Sequence, residues 1–198
     1  MNAHASLRKA VEIVKHGGLI IAPTDSVYGL FCNALDEKAV SRVKFVKSRE
    51  RDKPLQIAVR KNDAWQYGVI TRDAEALMER FWPGNVNIIV QKKNTVPDYV
   101  SKETVCMTCH ANDIARRLVA LSGLPLVSTS ANFSGEAAPT NAGEVSKELI
   151  ELVDIVLDAG ETKNKKLNTI VDASKTPAVV VREGSVGRTE LESVIRLA

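Results

Sequence analysis

Short apolar runs alternate with amphipathic helical patterns along this chain, and that alternation restricts it to an α/β architecture. Residues 5–16 carry Leu7, Ala10, Val11, Ile13 and Val14 at helical spacing and stop at Gly17-Gly18, after which GLIIAP (18–23) reads as a buried strand. The same alternation continues with a helix from Asp36 to Lys47 and a strand LQIAV (55–59). One or two short helices in 61–82 end at Trp82-Pro83-Gly84. The strands VNIIVQ (86–91) and TVCMTC (104–109) precede a helix capped by Asn112, and PLVSTS (125–130) follows it. A polar loop to Pro139, a helix over about 141–152, and the strands DIVLD, NTIVDA and AVVVRE complete the pattern. Thr189-Glu190-Leu191-Glu192 has the spelling of a capping box that opens a last helix. With no repeat or long linker, the expected fold is a single α/β domain over residues 1–198, built on a twisted mixed sheet with flanking helices.

Composition narrows the function classes. Over 198 residues, 44% hydrophobic content supplies a core, and a net charge of +3 permits an anionic ligand without demanding one. Three cysteines and no secretory pattern at the N-terminus suit a reducing compartment, and no apolar run approaches a membrane span. A cytoplasmic protein without membrane attachment is expected. The stretch VCMTCH (105–110) spells C-x-x-C-H, a haem-attachment pattern. It also reads as a strand, in which residues three apart face opposite sides, so Cys106 and Cys109 are not expected to share a haem or a metal.

Three stretches carry chemistry. PTDSVYGL (23–30) sets Thr24, Asp25, Ser26 and Tyr28 in a loop directly after an apolar strand, where open α/β sheets tend to bind ligands. KFVKSRERDK (44–53) packs five cations into ten residues, and Lys47 and Arg49 are suited to a polyphosphate; a solvated helix end is the plain alternative. STSANFSG (128–135) offers hydroxyls, an amide and backbone N–H groups for ribose and phosphate.

Taken in order, PTDSVYGL, K-x-R with KPL, WPG, STSAN with SG, TIVD and REG resemble the YrdC family of threonylcarbamoyl-AMP synthases, over about residues 8–186. The resemblance implies an α/β domain with a positively charged cavity. It implies a nucleotidyltransferase that makes threonylcarbamoyl-adenylate and pyrophosphate from L-threonine, bicarbonate and ATP. Partner proteins then transfer the threonylcarbamoyl group to tRNA, which the synthase itself contacts indirectly or weakly. Carried over residue by residue, Lys47 and Arg49 would hold the triphosphate as the catalytic pair. Ser130 and Asn132 would sit near the phosphates and ribose, Lys53, Pro54 and Leu55 at the nucleotide edge, and Arg182 beside the nucleotide. Thr24, Tyr28 and Thr108 would line the threonine pocket. Magnesium is expected through the phosphates, with no protein metal cage and no haem. Adenylyl transfer rests on positioning and charge neutralisation, so no Ser-His-Asp set is needed, and none is evident in the sequence.

Departures from the family pattern concentrate on the threonine side. Thr108 stands where an Arg is expected to clamp the threonine carboxylate, and His110 where a Pro is expected. Glu50 replaces a Pro, Asn85 and Asn87 a small residue or Pro and a Thr, and Asn168 a Ser. Two alternatives follow: a YrdC-like nucleotide-binding relative with another amino-acid substrate or none, and an RNA-binding protein without adenylyl transfer.

Overall fold

The computed structural model describes residues 3–48, 53–164 and 166–198. Helix α1 (Ala3–Lys15) stops where Gly17 takes φ 79°, and β1 (Ile20–Pro23) turns at once into β2 (Tyr28–Asn33) as an antiparallel hairpin. The Asp36 carboxylate accepts the N–H groups of Lys38 and Ala39 to start α2 (Glu37–Val46). Strand β3 (Ile57–Ala58), α3 (Ala64–Tyr67), β4 (Gly68–Val69), α4 (Arg72–Phe81), β5 (Val86–Lys92) and β6 (Thr104–Thr108) follow. Asn112 caps α5 (Asp113–Ser122) by accepting from Ile114 and Ala115, and Gly123 ends it in the left-handed region at φ 68°. The remainder is β7 (Leu126–Ser130), α6 (Lys147–Glu151), β8 (Ile155–Val156), β9 (Thr169–Asp172), β10 (Val179–Arg182) and α7 (Arg188–Glu192).

Among the described residues the strands form one mixed sheet in the order β10-β9-β5-β6-β3-β7-β2-β1-β8, with β4 on β5. Three pairs are parallel (β1 with β8, β3 with β6, β5 with β9) and the others along the sheet are antiparallel. The pleat sorts side chains between two faces. On one face Leu30, Ile57, Met107, Val127, Ile88 and Val171 pack against α2 and α4, through residues such as Val40, Val43, Leu77 and Phe81. On the other, Ile20, Ala22, Phe31, Ala58 and Leu126 pack against Leu7, Val11 and Val14 of α1 and Leu118 and Val119 of α5. Each large aliphatic side chain buried this way contributes roughly 1.5–3 kcal/mol. The two helices cover only part of that second face. The uncovered part, across β7, β3, β6, β5 and β9, is where the cavity lies.

Four readings of the sequence are corrected. The segment 141–152 is not one helix: a 3-10 turn (Ala142–Glu144) is followed by α6, restarted when the Ser146 side chain accepts from the Leu149 N–H. The Thr189 capping box does not form, because α7 begins at Arg188 after Gly187, which has no side chain with which to cap. Tyr28 is the first residue of β2 rather than part of the loop, which spans only Thr24–Val27. The strand read over 55–59 pairs only at Ile57 and Ala58.

Candidate functional site

A cavity of about 450 Å³ opens on the uncovered sheet face. Alternate residues of each strand build its wall: Gly29 of β2, Ser128 and Ser130 of β7, Cys106 of β6, Asn87 and Ile89 of β5, and Ile170 of β9. Thr24, Ser26, Pro54, Leu55, Gln56, His110, Asn168 and Arg182 close the rim and ends. A Cβ at Gly29 would lie 2.9 Å from the Phe31 ring and 3.0 Å from Thr24 Cγ2, so glycine keeps the hairpin tight against the loop. Gly184 is held harder. A Cβ there would stand 2.2 Å from Leu167 O, and this close approach lets the chain after β10 lie on the Leu167-Asn168 backbone that Arg182 grips.

The residues expected to bind nucleotide fall into three groups. Lys47, 3% exposed, points behind the wall, and its Nζ donates to Ser130 O (2.7 Å), Asn132 O and Asn132 Oδ1 (2.7 Å), with Ser130 Oγ at 3.4 Å. Ser130 Oγ donates to Asn132 Oδ1 at 2.6 Å, and Asn132 Nδ2 donates to Glu136 O. Lys47, Ser130 and Asn132 are therefore one hydrogen-bonded unit, of which Ser130 reaches the cavity wall. Pro54, Leu55 and Arg182 line the cavity directly, and the Arg182 guanidinium donates to Asn168 O at 2.8 Å while burial lowers its pKa. Lys53 is exposed beside them and is not part of the wall. Arg49 lies outside the described residues. Among the described residues the cavity wall carries one permanent cation, Arg182.

The expected threonine pocket is not assembled as a group. Thr24 lines the cavity, with its hydroxyl donating to Val27 O at 2.7 Å. Tyr28 faces the other side of the sheet at 0% exposure, and its hydroxyl donates to Gly160 O and accepts from Ala159 N–H. Burial, the largest influence on that hydroxyl, holds its pKa up. Thr108 shares the face of Cys106, as strand alternation requires, but is wholly buried and absent from the wall. It is in register with Ala58, which belongs to the apolar cluster under α1 and α5, and its Oγ1 has no hydrogen-bond partner.

What the sequence did not reveal is a chain of three buried polar groups. His110 Nδ1 lies 3.1 Å from Asp25 Oδ2, and His110 Nε2 lies 3.1 Å from Ser128 Oγ. No Ser-His-Asp set was evident in the sequence, and the fold assembles one. The three residues are separated by 85 and 18 positions, so only the fold joins them. Asp25 Oδ1 also accepts the Asn112 N–H at 2.6 Å, and the His110 ring meets Phe31 edge-on at 5.9 Å. Burial pushes the Asp25 carboxyl up, but the His110 hydrogen bond and charge, with the N–H groups of Asn112 and Ala111, outweigh it and leave its pKa below the usual value. The departures Asn87 and Asn168 also prove to be partners. Asn168 Nδ2 donates to Asn87 Oδ1 (2.9 Å) and Asn87 Nδ2 to Gln56 Oε1 (2.7 Å), while Asn168 Oδ1 is buried without a partner.

Cys106 lines this cavity, whereas Cys109 lines a second one with Arg60, Lys61 and Arg116. The two thiols therefore face different cavities, and both are free. Burial pushes the Cys106 thiol up to about 12. Since the thiolate is the nucleophile, iodoacetamide at mildly alkaline pH should modify the half-buried Cys106 of native protein only slowly, and unfolding in urea should speed the reaction by restoring an ordinary thiol pKa. Rapid labelling of Cys106 in the folded protein, read by mass spectrometry, would contradict this. Among the described residues no cluster of three His, Cys, Asp or Glu is arranged to hold a metal, and no helix is long and apolar enough to cross a membrane.

The Sua5/YciO/YrdC family profile, described as "Telomere recombination", matches residues 12–184. The chain is 38% identical over 184 residues to a putative threonylcarbamoyl-AMP synthase of Methanocaldococcus jannaschii, covering 90% of this chain and 87% of that one. Its fold superposes on Pyrococcus abyssi Sua5 complexed with L-threonine with a TM-score of 0.91 at 35% identity, covering 97% of this chain but only 58% of that chain. It also superposes on Escherichia coli YciO with a TM-score of 0.83 at 30% identity, covering 93% of this chain and 91% of that chain.

Proposed function

The chain belongs to the Sua5/YciO/YrdC family, and from that membership we propose that it makes threonylcarbamoyl-adenylate and pyrophosphate from L-threonine, bicarbonate and ATP. The observation that carries this reading is the cavity on the open sheet face, lined by residues of the PTDSVYGL, KPL, STSAN, TIVD and REG stretches. In the reaction the amine of threonine takes up bicarbonate as a carbamate. A carbamate oxygen then attacks the α-phosphate of ATP, and pyrophosphate leaves.

In this reading the loop at the end of β7 cradles phosphate and ribose. Lys47 holds that loop by its carbonyls and supplies positive charge from behind it, so it acts through Ser130 and Asn132 as much as on the triphosphate. Arg182 flanks the nucleotide, with Pro54 and Leu55 as the apolar edge and Lys53 exposed beside them, and Arg49 is assigned to the triphosphate from its motif alone. Magnesium enters with ATP as part of the substrate, held by phosphate oxygens and water. Transfer of the threonylcarbamoyl group to tRNA falls to partner proteins, and the setting is cytoplasmic.

A second reading is favoured by one observation: Thr108 stands where an Arg is expected at the threonine carboxylate, and it is wholly buried and absent from the cavity wall. It keeps ATP in the same cavity and assigns the site another amino acid. The deciding experiment is pyrophosphate release from ATP with bicarbonate and each of threonine, serine and other amino acids. Release that requires threonine and bicarbonate supports the first reading. Release with a different amino acid supports the second, and no amino-acid-dependent release rejects both.

A further inference from the structure

We propose that Asp25, His110 and Ser128 form a proton relay at the inner end of the cavity, and that its Ser128 end takes a proton from the amine of the bound substrate. The direction of the relay follows from its partners. Asp25 is ionised, and its Oδ2 faces His110 Nδ1 at 3.1 Å, so the proton between them sits on the nitrogen. Whenever the ring is neutral, Nε2 is then bare and accepts the Ser128 hydroxyl proton across 3.1 Å. Ser128 thus presents only lone pairs to the cavity it lines. Such a site suits a donor, and an ammonium N–H is the donor with a proton to lose.

The inference rests on the reading of an amine that must become a carbamate. An ammonium has no lone pair, so it cannot attack bicarbonate. One ammonium N–H bond breaks, its proton goes to Ser128 Oγ, and the proton already on Ser128 passes to His110 Nε2. The free amine then forms a C–N bond to the bicarbonate carbon and water leaves, giving the carbamate. The imidazolium is held beside the Asp25 carboxylate until it returns the proton to solvent. Asp25 is in turn fixed by the Asn112 N–H (2.6 Å), and Phe31 packs edge-on against the ring. The ring has a second charged neighbourhood, since it also borders the cavity lined by Arg60, Lys61, Asp63, Arg116 and Cys109.

Two measurements test the relay, and they separate its failure from failure of the synthase reading. Nitrogen NMR of the full chain without substrate reads the ring directly. The relay requires Nδ1 protonated and Nε2 bare at neutral pH, with the Nε2 resonance moved by Ser128→Ala. A ring protonated on Nε2 at neutral pH, or an Nε2 resonance indifferent to Ser128→Ala, overturns it whatever the enzyme turns over. The second measurement is the pH profile of threonine-dependent pyrophosphate release. His110→Gln, which keeps a polar side chain, should lower kcat/KM for threonine about 10²–10⁴-fold and abolish the acid limb of the profile, with ATP affinity by calorimetry unchanged. A profile of unaltered shape would mean that His110 only braces the fold, and the relay would be rejected. If the wild type releases no pyrophosphate with threonine, the synthase reading falls and the NMR result alone decides the relay.

Discussion

Lys47→Ala is expected to lower stability by roughly 2–5 kcal/mol and to weaken ATP binding with it. The ammonium is 3% exposed and serves Ser130 O, Asn132 O and Asn132 Oδ1, and alanine would strand two main-chain carbonyls behind the cavity wall. A buried acceptor left without a donor costs about 1–3 kcal/mol. The loss should appear as a fall of roughly 2–4 °C in melting temperature for each kcal/mol in a chain of this size. Losing the anchor also frees the loop that would meet the phosphates, and an ATP-affinity loss of about ten- to a hundred-fold corresponds to about 1.4–2.8 kcal/mol. Lys47→Met separates bulk from hydrogen bonding, since it fills the space but donates nothing, and it should resemble Ala. Ser130→Ala is milder: it removes one hydroxyl bond to Asn132 and leaves the Lys47 contacts to both carbonyls. If Lys47→Ala melts with the wild type and keeps its ATP affinity, the lysine is neither anchor nor charge source.

The contrast between Lys47 and the Asp25–His110–Ser128 chain marks how far the sequence was legible. Helix ends and strand faces were readable because they are local. Asn112 and Asp36 cap where their side chains reach the next N–H groups, and two-residue alternation separated Cys106 from Cys109. Thr189 failed because a cap depends on where the helix begins, and the chain sets that start two residues earlier, after Gly187. Lys47 was read as a functional cation from its motif, but its carbonyl partners come from residues more than eighty positions away. For His110, the only sequence signal was its unusual residue type at a loop position. Its partners are a hairpin loop and a strand that neighbour it only after the sheet has formed, so no local rule could join them. Asn87 and Asn168 follow the same logic, since two separate departures from the family pattern turn out to be one hydrogen bond.

Thr108→Arg carries the other large expectation, and the structure reverses the outcome the sequence invited. From the motif alone, arginine would restore a carboxylate clamp and tighten threonine binding by about 1.5–3 kcal/mol. In the fold, Thr108 is 0% exposed and in register with Ala58, which belongs to the apolar cluster that includes residues of α1 and α5. A guanidinium there either stays buried and unpaired, at a cost of several kcal/mol, or forces its way past Cys106 and His110 into the cavity and disturbs the His110 chain. The expected result is a variant that melts well below the wild type and binds threonine no more tightly. Thr108→Val is the informative partner. Its volume is nearly the same, and it removes an Oγ1 that is buried with no hydrogen-bond partner, so it should raise stability by about 1–2 kcal/mol. Calorimetry with threonine and ATP, alongside thermal melts of both variants, distinguishes the cases. A stable Thr108→Arg protein with tighter threonine binding would show that the buried site of Thr108 opens to the cavity. A Thr108→Val protein that is destabilised, or that loses threonine binding, would show that the hydroxyl has a partner it acquires only with substrate.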